Sequence, residues 1–300
     1  MDIYGVIGWP IKHSLSPFMH NAAFKKLGIA AEYRKFEVRP EGLEDFLLND
    51  ISVKDTEGNS VRARDVKGFN ITIPHKIRAR EILEKNFSSN QAKEVLYYVQ
   101  ISGAINTVRR AGDKLFYLNT DYVGFNTSLK EDLGFDAKDR NILVLGCGGA
   151  GRAVVAGLTF KRPAKNLYIY DVNKEMLESG ERHFSKFSFS NTTLYFISEE
   201  RVPNVIAKCD LLVNASPVGM NKGDFSVIDK KLLHKGLVVY DVVYNRETEL
   251  VRDARSLGLV AAGGSGMFLY QGVHAFEFWT GERAPIEVMR KALDSALKSK

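Results

Sequence analysis

Asn141-Ile-Leu-Val-Leu-Gly146-Cys147-Gly148-Gly149-Ala150-Gly151-Arg152 is the stretch on which the reading of this chain turns. Residues 142–145 form a short continuous apolar run, the mark of a strand covered on both faces. Residues 146–151 read as a tight turn and residues 152–159 as a helix. A strand, a glycine turn and a helix in that order make a pyrophosphate cradle. Positions without side chains let the backbone approach, and the amides and dipole at the helix start face the negative charge. A lone G-x-G-x-x-G is weak evidence, but Asp171 follows Gly151 by twenty positions, at the end of the next apolar run, residues 167–170. That is where dinucleotide sites place an acidic residue against the adenosine ribose. A carboxylate there would repel the extra phosphate of NADP, so NAD is expected over NADP. The competing reading is that Asp171 caps a helix beginning near Asn173, leaving Lys174 and Arg152 open to a phosphate.

Outward from this turn, strand-like runs at residues 4–7, 68–73, 211–213, 237–240 and 260–262 alternate with helical patterns. The later ones complete a doubly wound parallel sheet. Ser16 is a natural N-cap and Pro17 a natural first residue for a helix running to Leu27. Residues 52–67, with the core Asp-Thr-Glu-Gly-Asn-Ser, read as a loop. From Met267 the chain is helical and apolar, through Phe268, Val273, Phe276, Phe278 and Trp279, and it is free to fold back on the N-terminal part.

With 300 residues, 45% hydrophobic and 26% charged, the chain is long enough for two domains of common size. Its 42 basic residues are interspersed with 36 acidic ones, and no basic-aromatic block occurs. The net charge of +6 therefore favours anionic small molecules over nucleic acid. Cys147 and Cys209 have no metal-type spacing and make no disulfide framework, which fits a reducing compartment. The six histidines form no zinc motif, and no metal is expected. No basic leader and no run of about 18 apolar residues is present, so a cytoplasmic chain without membrane association is expected.

Six further blocks carry a resemblance. They are Tyr4-Gly-Val-Ile-Gly-Trp-Pro-Ile-Lys-His-Ser-Leu-Ser-Pro17, Gly68-Phe-Asn-Ile-Thr-Ile-Pro-His-Lys76, Gly103-Ala-Ile-Asn-Thr-Val108, Asn119-Thr-Asp-Tyr-Val-Gly-Phe125, Asn214-Ala-Ser-Pro-Val-Gly-Met220 and Gln271-Gly-Val-His-Ala-Phe-Glu-Phe-Trp-Thr-Gly281. In sequence and order they resemble the shikimate dehydrogenase family. The resemblance implies an α/β fold with an N-terminal α/β substrate domain and a Rossmann-type doubly wound dinucleotide-binding domain. The first would span residues 1–122, completed by C-terminal helices at 265–300, and the second residues 123–264. The family reaction is the reversible NAD(P)-dependent reduction of 3-dehydroshikimate to shikimate, a step toward aromatic amino acids; related members oxidise quinate.

Carried over by position, Ser14 and Ser16 would hold the substrate carboxylate, and Asn70, Thr72, Asn106 and Gln271 its hydroxyls. Lys76 and Asp121 would be the catalytic pair and Tyr244 a substrate support. Gly264 and Met267 would join Gly146, Gly148, Gly149, Ala150, Gly151 and Asp171 in binding the cofactor. Three departures stand out. Asp171-Val172-Asn173 replaces the family's Asn-Arg-Thr, Tyr244-Asn245-Arg246 lacks the usual proline, and the stretch between Lys76 and Asn106 is longer than usual. The first keeps alive an NAD-dependent quinate/shikimate dehydrogenase of quinate catabolism. From another class, a non-catalytic sensor of dinucleotide and shikimate is the alternative. A homodimer is compatible with either.

The chemistry is intelligible from the residues themselves. Reducing a ketone builds negative charge on oxygen as hydride reaches carbon, and an ammonium aimed at that oxygen stabilises it and can deliver the proton. The carboxylate would hold the ammonium and share its proton. Taken singly, Lys76 reads as a solvated cation and Asp121 as a helix cap. Their joint occurrence inside two matched blocks assigns them to chemistry. His13 and His75 receive no role, and Met267, Phe276 and Trp279 read equally well as core.

Overall fold

Strand β1 (Asp2–Gly8) is buried from Tyr4 onward because it sits inside a sheet, flanked by a parallel neighbour on each side. The computed structural model describes residues 1–87 and 93–299 and resolves them into two compact units, Met1–Thr120 with Gln271–Lys300, and Asp121–Tyr270.

In the first unit, β1 is followed by α1 (Ser16–Leu27), β2 (Ala31–Glu37), α2 (Leu43–Leu48), β3 (Ser52–Lys54), β4 (Ser60–Arg62), β5 (Val66–Ile71), α3 (Lys76–Asn86), α4 (Lys93–Ser102), β6 (Thr107–Ala111) and β7 (Lys114–Leu118). The sheet order is β2-β1-β5-β6-β7, with β6 and β7 antiparallel to their neighbours. One core gathers Ile7, Phe36, Phe46, Phe69, Leu83 and Val108. A second, aromatic cluster packs Tyr4, His20, Phe24 and Tyr33 against Phe276 and Trp279 of the C-terminal segment. The Trp279 indole donates to the Val108 carbonyl at 2.9 Å, and Gly68 makes room for it, since a Cβ there would lie 2.4 Å from the ring.

The second unit runs through α5 (Asp121–Glu131), β8 (Asn141–Leu145), α6 (Gly149–Leu158), β9 (Asn166–Tyr170), α7 (Lys174–Phe184), β10 (Thr193–Phe196), α8 (Val202–Ile206), β11 (Leu211–Asn214), β12 (Val238–Asp241), α9 (Glu249–Ser256) and β13 (Ala261–Ala262). Its six strands are all parallel in the order β10-β9-β8-β11-β12-β13. This is the doubly wound order in which β8 and β11 flank the switch point, the place where such sheets take ligands. Helix α10 (Ser265–Thr280) carries the chain from the second unit back to the first, and α11 (Ile286–Lys298) packs there on α1.

The α/β architecture with a Rossmann-type sheet is as expected, and several local readings shift. Residues 52–62 are a hairpin instead of a loop. Its turn is pinned by Asp55, whose Oδ1 accepts from the amides of Glu57 and Asn59, both at 2.9 Å. Ser16 is the first helical residue, not the N-cap, and Leu15 precedes it without a side-chain cap. Helix α6 starts inside the glycine turn, three residues before Arg152. Of the long stretch between Lys76 and Asn106, α3 and α4 are seen, and residues 88–92 lie outside the described residues.

Candidate active site

Two consecutive strands supply the heart of the first unit's polar cluster. Register pairs Asn70 of β5 with Thr107 of β6, so two polar side chains meet in an apolar sheet. Buried polar groups must find partners there. Asn70 Nδ2 donates to Thr107 Oγ1 at 3.0 Å and to the Asn106 carbonyl at 3.2 Å, while its Oδ1 accepts from the Tyr33 hydroxyl at 2.7 Å. Asn106 Oδ1 accepts from the Thr120 amide at 2.7 Å, and its Nδ2 donates to Thr120 Oγ1 at 2.9 Å. Thr120 Oγ1 in turn reaches Gln271 Oε1 at 3.5 Å. Ser14 and Ser16 pair with each other at the start of α1: Ser14 Oγ lies 3.3 Å from both the Ser16 hydroxyl and the Ser16 amide.

Asn70, Asn106 and Gln271 are thus joined in one hydrogen-bonded set through Thr107 and Thr120, and Ser14 and Ser16 form a separate pair in the same unit. Thr72 lies just past β5, its amide on the Ile7 carbonyl at 3.0 Å. Lys76 opens α3, and its carbonyl accepts from the Ile105 amide at 3.0 Å, one residue before Asn106. Asp121, buried at the start of α5, follows Thr120 and so is tethered to the same asparagine through its neighbour. His75 Nε2 donates to the Val38 carbonyl at 2.6 Å, and burial pulls its pKa down. This is a structural role, consistent with assigning it none in chemistry.

The second unit builds the glycine turn. Gly146 has φ +103°, and a Cβ at Gly151 would fall 2.0 Å from the Gly146 carbonyl, so the turn closes only on glycine. A side chain at Gly148 would meet nothing within 4 Å, which leaves the backbone at the start of α6 approachable. Cys147 is packed against Gly180, and burial raises its thiol to about 11, so it is inert. A Cβ at Gly264 would overlap the Val242 carbonyl at 2.0 Å. Met267 follows, buried, at the start of α10, and in the same unit the Tyr240 hydroxyl donates to Ser128 Oγ at 2.7 Å. The Tyr244 ring stacks on Phe268 at 4.1 Å, and desolvation pushes its phenol up to about 12.

Asp171 braces the glycine turn. Its Oδ2 accepts from the Cys147 amide at 2.7 Å and its Oδ1 from the Asn173 amide at 2.9 Å. The carboxylate anchors the glycine turn to the following loop, and the N-cap of α7 is Asn173, which accepts from Met176. Arg152 is committed as well, buried with Nε on the Cys147 carbonyl and Nη2 on Ser179 Oγ, whereas Lys174 stays exposed. Sequence reading missed Tyr33, Thr107 and His20. Thr107 and Thr120 sit inside quoted blocks, but Tyr33 is an ordinary aromatic in the alternating strand Ala-Glu-Tyr-Arg-Lys-Phe-Glu and gave no signal. Among the described residues no group of three or more His, Cys, Asp or Glu could hold a metal, and no helix is long and apolar enough to cross a membrane.

Comparison with known proteins bears on both units. Residues 6–108 match the model of the shikimate dehydrogenase substrate binding domain, and residues 264–293 match that of the shikimate 5'-dehydrogenase C-terminal domain. A relative in Pyrococcus furiosus, shikimate dehydrogenase (NADP(+)), is 38% identical over 290 residues, covering 96% of this chain and 94% of its own. The protein of the same name in Methanopyrus kandleri is 35% identical over 298 residues, covering 97% and 94%. The structure of shikimate 5-dehydrogenase from Thermus thermophilus in complex with NADP(H) and shikimate superimposes with a TM-score of 0.79 at 30% identity, covering 99% of this chain and 100% of that one. The names and the bound dinucleotide overturn the expectation of NAD over NADP, and the physical reason is that the Asp171 carboxylate already accepts from two backbone amides, which offsets the charge on which the expected repulsion relied. With both signatures matched and relatives aligned over nearly their full length, the chain belongs to the shikimate dehydrogenase family.

Proposed function

We propose that this chain catalyses the reversible, NADP-dependent reduction of 3-dehydroshikimate to shikimate. The first unit would bind the substrate and the second the dinucleotide. The observation that carries the reading is the buried hydrogen-bonded set of Asn70, Thr107, Asn106, Thr120 and Gln271, in the unit that also holds the Ser14–Ser16 pair. These amides and hydroxyls are what a small acid bearing several hydroxyls requires.

Bound NADP(H) supplies or accepts the hydride. The residues to hold it are the turn from Gly146 to Gly151, with Gly264 and Met267 beside the nicotinamide and Lys174 at the start of α7 open to the additional phosphate. Ser14 and Ser16 donate to the substrate carboxylate. Lys76 meets the carbonyl oxygen, stabilises the charge that develops there and delivers a proton to it; in the reverse direction it takes the proton from the hydroxyl. Asp121 orients the ammonium. The neutral Tyr244 phenol donates a hydrogen bond to the substrate without adding charge.

Steady-state assays with shikimate and with quinate, each with NADP and with NAD, test the reading. The highest kcat/KM is expected for shikimate with NADP. Quinate outrunning shikimate would move the chain to the quinate branch, and tight binding of both ligands without turnover would make it a sensor. Lys76→Ala should lower kcat by about 10²–10⁴-fold with little change in KM. An unchanged kcat would remove Lys76 from the mechanism.

A further inference from the structure

We propose that Tyr33 is a positioning residue of the substrate site, its phenol proton fixing the orientation of Asn70 and so the direction in which the amide cluster donates its protons. The proposal rests on the functional reading above and assigns a role to a residue outside the matched blocks.

Tyr33 is held on every side. Asn21 of α1 clamps its backbone twice, Oδ1 accepting from the Tyr33 amide at 2.7 Å and Nδ2 donating to its carbonyl at 3.0 Å. The ring is 2% exposed and lies flat on His20, with centroids 4.4 Å apart and planes at 18°. Both His20 nitrogens are buried and, among the described residues, have no hydrogen-bond partner, so the imidazole is a neutral wall against which the phenol is placed. Burial also holds the phenol far above its ordinary pKa, so it keeps its proton and remains a donor.

That single proton has consequences along the cluster. It goes to Asn70 Oδ1, which turns Asn70 Nδ2 toward Thr107 and Asn106. Thr107 Oγ1, accepting from Asn70, then donates to Asn106 Oδ1 at 3.0 Å, and Asn106 Nδ2 donates to Thr120 Oγ1. Each hydroxyl has one proton to give, so the polarity chosen at Tyr33 propagates, and such chains strengthen each bond in them. Phenylalanine would keep the ring and its stacking while leaving Asn70 Oδ1 without its donor. Asn70 is then free to flip, which degrades recognition of substrate and leaves the hydride step and the dinucleotide alone.

The test is Tyr33→Phe assayed beside wild type and Asn70→Ala. In Tyr33→Phe the KM for shikimate should rise about 10-fold, from the loss of the hydrogen bond that orients Asn70. The KM for NADP should stay near wild type, the melting temperature should fall by only a few degrees, and kcat should change by less than about 3-fold. In the Asn70→Ala background the same substitution should add less than about 2-fold, because the partner it acts through is gone. An unchanged shikimate KM overturns the proposal, as does an equal rise for shikimate and NADP, which would mark general loosening. Wild-type protein that turns over no shikimate overturns both the proposal and the function it rests on, whereas active wild type with an unaffected Tyr33→Phe overturns the positioning role alone. Should Tyr33→Phe fail to fold, Asn21→Ala decides by the same readout: a rise confined to the shikimate KM supports the role, and none overturns it.

Discussion

Asp171 has both carboxylate oxygens on backbone amides, one in the glycine turn and one in the loop leading to α7. A charged acceptor shared between two donors is a strong local brace. Asp171→Ala should therefore lower stability by about 1–3 kcal/mol, chiefly the cost of leaving the Cys147 amide unmet, since the Asn173 amide is open to water. It should also weaken dinucleotide binding by loosening the turn, with the ratio of NADP to NAD activity unchanged. A switch of preference between the two cofactors in this variant, measured by kcat/KM, would restore Asp171 as a selectivity residue. The residue also shows where sequence stops. Its spacing from Gly151 was legible, but the same spacing serves a carboxylate that faces a ribose and one that faces its own backbone, and only hydrogen-bond geometry separates them. Ser14, Ser16, Asn70, Asn106 and Gln271 were readable because they stand in long matched blocks. Tyr33 was not, since nothing about a tyrosine in an amphipathic strand announces that its hydroxyl reaches Asn70.

At the scale of elements, the turn from β8 to α6 is built on a contact that admits no side chain. Gly151→Ala would place a methyl 2.0 Å from the Gly146 carbonyl, against backbone that cannot yield cheaply. The expected cost is about 1–3 kcal/mol of overpacking strain, together with loss of dinucleotide affinity; calorimetric titration with NADP that matches wild type would disprove the close approach. Strands buried on both faces, such as β8, β11 and β12, were legible as apolar runs. The hairpin β3–β4 was hidden because three-residue strands with exposed ends look like loop, and its turn is set by Asp55 through side-chain bonds that composition does not reveal. Strand β10, half-exposed at the sheet edge, left no apolar run to read.

For the whole molecule, His20 links acidity to stability. Burial brings its pKa from 6.5 down to about 3 in the folded state, while in the unfolded chain it titrates normally. The folded state thus favours the neutral ring, so the contribution is fully present above pH 6.5 and is lost as pH falls toward 3. Over that window each pH unit should cost about 1.4 kcal/mol through this residue. His75, also depressed by burial, adds in the same sense. Denaturant midpoints followed from pH 7 to 5 should fall less steeply for His20→Phe than for wild type; identical slopes would show that His20 charges without opening the core.

The path of the chain has one more consequence. The first unit is assembled from two separated segments: α11 covers α1, and Trp279 closes over Gly68 between Tyr4 and Tyr33. The second unit is one uninterrupted segment. During synthesis, then, the second unit has all its residues available while the first still lacks the aromatic lid of its core, so the ribosome delivers the later unit ready to fold first and the earlier one waits, half-built, for residues 271–300 to emerge.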